Sequence, residues 1–175
     1  MKSNTKLILT TMHVLFWVIF VGLCIETGAM LTSFFVSLFV NPEATRNLYM
    51  ELKLSDLYRF GKGHYIGIVS LMIYISGLKA YIAYLVIKIF IKFNFDRPFD
   101  AKVSLLVSQI SHIAMTTGIL ALIADGYSEW LIKRGVPLQQ DWGGAEFLFL
   151  AGIIFIISEA FKKGVEFQSE NELTI

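Results

Sequence analysis

Apolar residues gather along this chain into four long runs, separated by shorter polar stretches. The runs cover Leu7 to about Val40, Tyr65 to Ile91, Val103 to Ala124 and Gly143 to Phe161. At about 1.5 Å of helical rise per residue, each is long enough for a hydrocarbon layer roughly 30 Å thick. The pattern predicts an all-α fold, an integral membrane four-helix bundle formed as one domain over residues 1–175. The first run is too long for a single perpendicular crossing. Gly22, Glu26, Ala29, Ser33 and Ser37 recur on it at three- and four-residue steps, one small-and-polar stripe that favours a continuous helix. Such a stripe marks the side that packs on neighbouring helices. Asn41 and Pro42 end it, so the outer part of this helix is expected to project beyond the bilayer.

The polar connections carry their own signals. Within residues 41–64, "NLYMELKLSDLYRF" reads as a short amphipathic helix, and "KFNFDRPFDAK" as a brief loop whose Asp100 caps the third helix. Residues 125–142 form the third connection, with Trp130 and Trp142 as interfacial anchors. The N-terminal stretch resembles a signal peptide, but its apolar part is too long and lacks a small-residue cleavage site. It reads as a retained span.

Composition agrees with a membrane protein. Hydrophobic residues make up 55% and charged residues 17%, with mean hydropathy +0.64. Soluble domains carry about 25% charged residues. A net charge of +1, without a basic stripe, argues against direct nucleic-acid binding. The single cysteine, Cys24, excludes an internal disulfide or a CxxC motif. Lys2, Lys6, Lys88, Lys92, Arg97, Lys102, Lys162 and Lys163 fall on one side of the spans, and Arg46, Lys53, Arg59, Lys62, Lys133 and Arg134 on the other. This bias places both termini in the cytoplasm.

Several ionisable residues lie inside the runs. Lys79 sits roughly 14 Å from Lys88 and His112 roughly 12 Å from Ser104 along their helices, which puts both at mid-depth. Glu26, Asp125 and Glu146 fall near the outer boundary, and Glu159 near the inner one. A lysine at the bilayer centre costs about 2.5–3.5 kcal/mol, so Lys79 is expected to face the bundle and find a partner. That partner is either static, fixing the packing, or part of an ion or proton relay with His112 and a carboxylate. The ladder Ser104, Ser108, His112 and Thr116 either lines a wet path or hydrogen-bonds across helices, and Ala114 and Gly118 offer a close helix contact. Three outer acids would either converge on a hard cation or remain solvated. No nucleophile–base pair, phosphate loop or zinc motif occurs, so neither enzymatic activity nor a cofactor or metal is expected.

Lys162 and Lys163 should meet the headgroups and Gly164 should stop the last helix, leaving residues 164–175 as a cytoplasmic tail. Its acids complement Arg97 and Lys102. The segment "GGAEFLFLAGIIFIISEAFKKGVEFQSENELTI", taken with "RPFD", resembles the bacterial membrane family catalogued as domain of unknown function 2975. The resemblance covers most of the chain and is weakest in the first loop. It implies a multi-pass protein of the bacterial inner (cytoplasmic) membrane, with a small cytoplasmic helix-turn-helix regulator as a protein partner. It supplies no catalytic residues.

The function expected from these readings is that of a membrane-embedded interaction or regulatory protein. Its docking residues would be Arg97, Phe99, Asp100, Glu166, Glu170, Glu172, Leu173 and Ile175. The competing expectation is a small channel, transporter or ion-binding component, assembled as a homo-oligomer around Lys79, His112 and the carboxylates.

Overall fold

The computed structural model describes residues 3–41, 43, 45, 54–94, 98–138 and 140–172. Every regular element is helical among these residues: α1 (Ser3–Phe39), α2 (Ser55–Phe60), α3 (Lys62–Lys92), α4 (Ala101–Ile132) and α5 (Gly144–Glu172). Four of them are long and apolar enough to cross a membrane. At about 1.5 Å per residue, the 37 residues of α1 extend about 55 Å, well beyond a hydrocarbon layer.

The first helix runs unbroken through Gly22 and Gly28. It stops where the amides of Val40 and Asn41 both donate to the Val36 carbonyl and Asn41 Oδ1 accepts from the Glu43 amide at 2.9 Å. Asp100 caps α4 as its position predicts, its Oδ1 accepting from the amides of Lys102 at 2.7 Å and Val103 at 3.3 Å. Of the short helix foreseen over residues 47–60, Ser55–Phe60 appears as α2, which inserts Leu57 into the core; residues 46–53, Arg46 and Lys53 among them, lie outside the described residues.

Two helices run further than their apolar stretches. α4 continues through Asp125 to Ile132, where a connecting loop was expected. Ala124, Ser128 and Leu131 prolong its buried face at helical spacing, so one-sided burial sustains the helix after hydropathy falls. Gly135, at φ 85°, and Gly143, at φ 64°, then turn the chain in a backbone region that side chains disfavour. Likewise α5 does not stop at Gly164 but reaches Glu172. On its own surface the ion pair of Lys163 with Glu166 spans the expected break, and that of Lys162 with Glu159 lies just before it.

The helices pack in chain order: α1 on α3, α3 on α4, α4 on α5, with α2 against α3. Among the described residues α1 makes no extensive contact with α4 or α5, so the four long helices form an open row. The polar stripe expected on α1 meets α3 at Ser37, while Gly22 at its other end is exposed and Thr27, beside the stripe, makes a second contact. Ser37 is fully buried and its Oγ lies 2.6 Å from the Tyr65 hydroxyl, while Thr27 Oγ1 donates to Ser76 Oγ at 2.9 Å. The main core lies at the α2 end and unites Leu57, Tyr65, Ile68, Leu131, Val136 and Trp142. A smaller core of Leu85, Leu106 and Ile110 joins α3 to α4 nearer the other end.

Candidate functional site

The mid-depth residues do not come together. Lys79 is half-buried on α3, and its Nζ lies over the Phe147 ring of α5 at 5.2 Å from the centroid. No carboxylate lies within 4.0 Å of it among the described residues. A cation–π contact contributes about 2 kcal/mol or more when desolvated, the same order as the roughly 2.5–3.5 kcal/mol that an inserted lysine costs. The ring therefore offsets much of that cost but leaves the ammonium without an anion among the described residues.

His112 points outward from α4 and is exposed, its Nδ1–H donating to the Ser108 carbonyl at 2.7 Å. Thr116 and Thr117 likewise donate to carbonyls four residues back, at 2.9 and 2.7 Å. The polar ladder thus closes on its own helix rather than across helices. The side of α4 that turns inward carries Ser104, Ser111, Ala114, Gly118 and Ala121. At Gly118 an added Cβ would stand 2.9 Å from Leu148, and at Gly144 one would stand 2.8 Å from the Leu122 amide nitrogen. Two small residues therefore set the close α4–α5 approach.

The acids expected at the outer boundary separate as well, and Glu26 lies instead level with about residue 77 of α3, at the level of Lys79. Glu26 is half-buried on α1 and has no hydrogen-bond or ion-pair partner among the described residues. Asp125 faces the backbone amides of Gly144 and Trp142 at the start of α5, and Glu146 is exposed on that first turn. No group of three potential metal ligands occurs among the described residues. At the other end of α5, Glu159 is exposed and takes a hydrogen bond from Lys162 Nζ at 2.5 Å.

The α3–α4 loop is where sequence-predicted residues do meet. Phe99 lies edge-on to Phe161 at 5.5 Å between ring centroids and sits directly on Gly164, where a Cβ would collide with its ring. This contact explains a glycine inside a continuing helix: the residue provides a seat, not a stop. Asp100 is occupied in capping α4. Beyond the seat, α5 presents Lys163 paired with Glu166 at 2.6 Å, then Phe167, 64% exposed, and Glu170. Arg97, Leu173, Ile175 and the side chain of Glu172 lie outside the described residues. Loop and α5 together form one platform, ordered by an aromatic lock and a helix cap.

At the opposite end, hydropathy alone did not single out His64. Its Nδ1 lies 2.5 Å from the Tyr127 hydroxyl, and its ring packs against Phe60, Tyr127 and Trp130. The Arg134 guanidinium covers Trp130 at 3.8 Å. Trp142, expected as an interfacial anchor, is instead buried, donating its Nε1–H to Ser128 Oγ at 2.9 Å. The density of Tyr, Phe, Trp and His at the span ends was the available signal for this cluster. No family model matches the chain, and neither a curated protein nor a solved structure was found to be similar to it.

Proposed function

We propose that this is a non-enzymatic, multi-pass protein of the bacterial inner membrane, with both termini in the cytoplasm, that docks a regulatory partner on the platform formed by residues 98–100 and α5. The observation that carries this reading is Phe99 seated on Gly164, which fixes the loop to a helix running on to Glu172. A helix that leaves the apolar layer and stays ordered presents its face without the ordering cost of a disordered tail. Glu166, Phe167 and Glu170 give that face an acidic and aromatic character. The acidic face fits a small basic cytoplasmic protein, and the resemblance to domain of unknown function 2975 suggests a helix-turn-helix regulator. The excess of lysine and arginine at the platform end supports its cytoplasmic placement. On this orientation the ends of α1, α3 and α4 at the α2 side project from the outer surface, held by the core around Leu57 and Trp142.

The test is to end the chain at Gln168, which keeps Gly164 and its lock. The shortened protein should insert normally, while the partner co-purifying with the full chain from native membranes should be lost. Stoichiometric partner retained on the shortened chain rejects any part for Glu170 and the residues after it in the docking surface.

A further inference from the structure

Two half-buried charges of opposite sign in the apolar part of the row have no ion-pair partner among the described residues, Glu26 on α1 and Lys79 on α3. The bond from Thr27 to Ser76 fixes the register of the antiparallel α1–α3 pair. Glu26 therefore lies level with about residue 77, and Lys79 only about 3 Å further along the axis. Both belong to the same depth. They also look toward the same opening. Glu26 and Ser37 are three helical turns apart, so Glu26 stands on the edge of α1 that borders α3, where Ser37 packs on Tyr65, and Lys79 leaves α3 toward α5, where it meets Phe147. Since α1 and α5 do not pack extensively on each other among the described residues, the row is open between them.

A two-fold axis along the membrane normal conserves depth. Groups on two copies can meet across such an interface only if they lie at one level, and an isologous contact forms every pair twice. Glu26 and Lys79 satisfy that condition. The flank of α1 next to Glu26 also carries Gly22 and Ala29, and at Gly22 there is open space where a side chain would stand. We propose that a second copy of this chain fills the opening. α1 packs beside α1 about the two-fold axis, and Glu26 of each copy pairs with Lys79 of the other. Charge complementarity at matched depth identifies the occupant as this chain and not lipid, which offers no such geometry inside the hydrocarbon. The inference is independent of the docking platform.

The test uses the full chain, labelled with donor or acceptor fluorophore, in liposomes of neutral lipid at fixed protein-to-lipid ratio. Wild-type copies should associate. Glu26→Lys alone and Lys79→Glu alone should each weaken self-association at least about tenfold, since each places like charges together twice. Mixed with one another, the two variants should associate again, because every cross-pair is then opposite. Failure of the mixture, or undiminished self-association of either variant, overturns the proposal; an intramolecular pair would give that failure. If a charge reversal prevents insertion, a Cys24→Ser chain carrying Ala29→Cys provides the second route. Oxidation should join two such copies, whereas Leu31→Cys, exposed on the side of α1 opposite Ala29, should remain monomeric. Cross-linking through Leu31→Cys alone, or through neither, overturns it equally.

Discussion

Phe99 and Gly164 show how much one missing methyl group can decide. The ring occupies the place that any side chain at 164 would claim, so a larger residue must displace it. Gly164→Leu is expected to cost about 1–3 kcal/mol through overpacking. Phe99→Ala should cost a similar amount by leaving the seat and Phe161 uncovered. The double substitution should cost less than the sum, because both remove one contact. Unfolding in graded denaturant, followed by helicity, measures all three. Full additivity would show that the ring and the glycine are not coupled. The same residue illustrates why sequence alone misplaced the end of α5. A glycine after two lysines carries the usual stop signal, and nothing within its own helix reveals that a ring from another loop requires it.

At the scale of the element, hydropathy located all four long helices but not their ends. It reports where lipid ceases, whereas a helix persists as long as one face has something to cover. α4 continues for two turns past Ala124 because Ser128 and Leu131 still face the core, and α2 forms because Leu57 fills that core from a loop. Leu57→Ala should lower stability by about 2–5 kcal/mol. Amide exchange should then accelerate throughout α2 while α5 remains protected. Equal acceleration in both helices would contradict the separation of the two cores. The candidate site was legible unevenly for a related reason. Asp100 was readable because capping is local. Whether His112 turned inward depended on which flank of α4 its neighbours chose, and Ser111 occupies the inward position. Lys79 was recognisable as a residue in need of a partner, yet the ring of Phe147 carries no sequence signal that pairs it with a lysine.

The whole molecule is a row rather than a closed ring of helices, and its two ends differ in kind. One end is sealed by a core drawn from α2, α3, α4 and the following connection; the other is held by Phe99 and paired charges on α5. Ending the chain at Gly135 removes Val136, Leu138 and Trp142 from the sealed end. Protease should then cut at α2, which the intact protein should protect. Resistance of the shortened chain would mean that α2 is held without the connection that follows α4.

That sealed end also imposes an order on biosynthesis. Leu57 and Tyr65 emerge from the ribosome well before Trp142, yet they share one core with it. Until the last third of the chain has been made, α2 has no complete surface to settle on. Its apolar side must wait in an unfinished state, open to chaperones, proteases and neighbouring chains, so the connection that follows α4 sets the moment at which α2 settles.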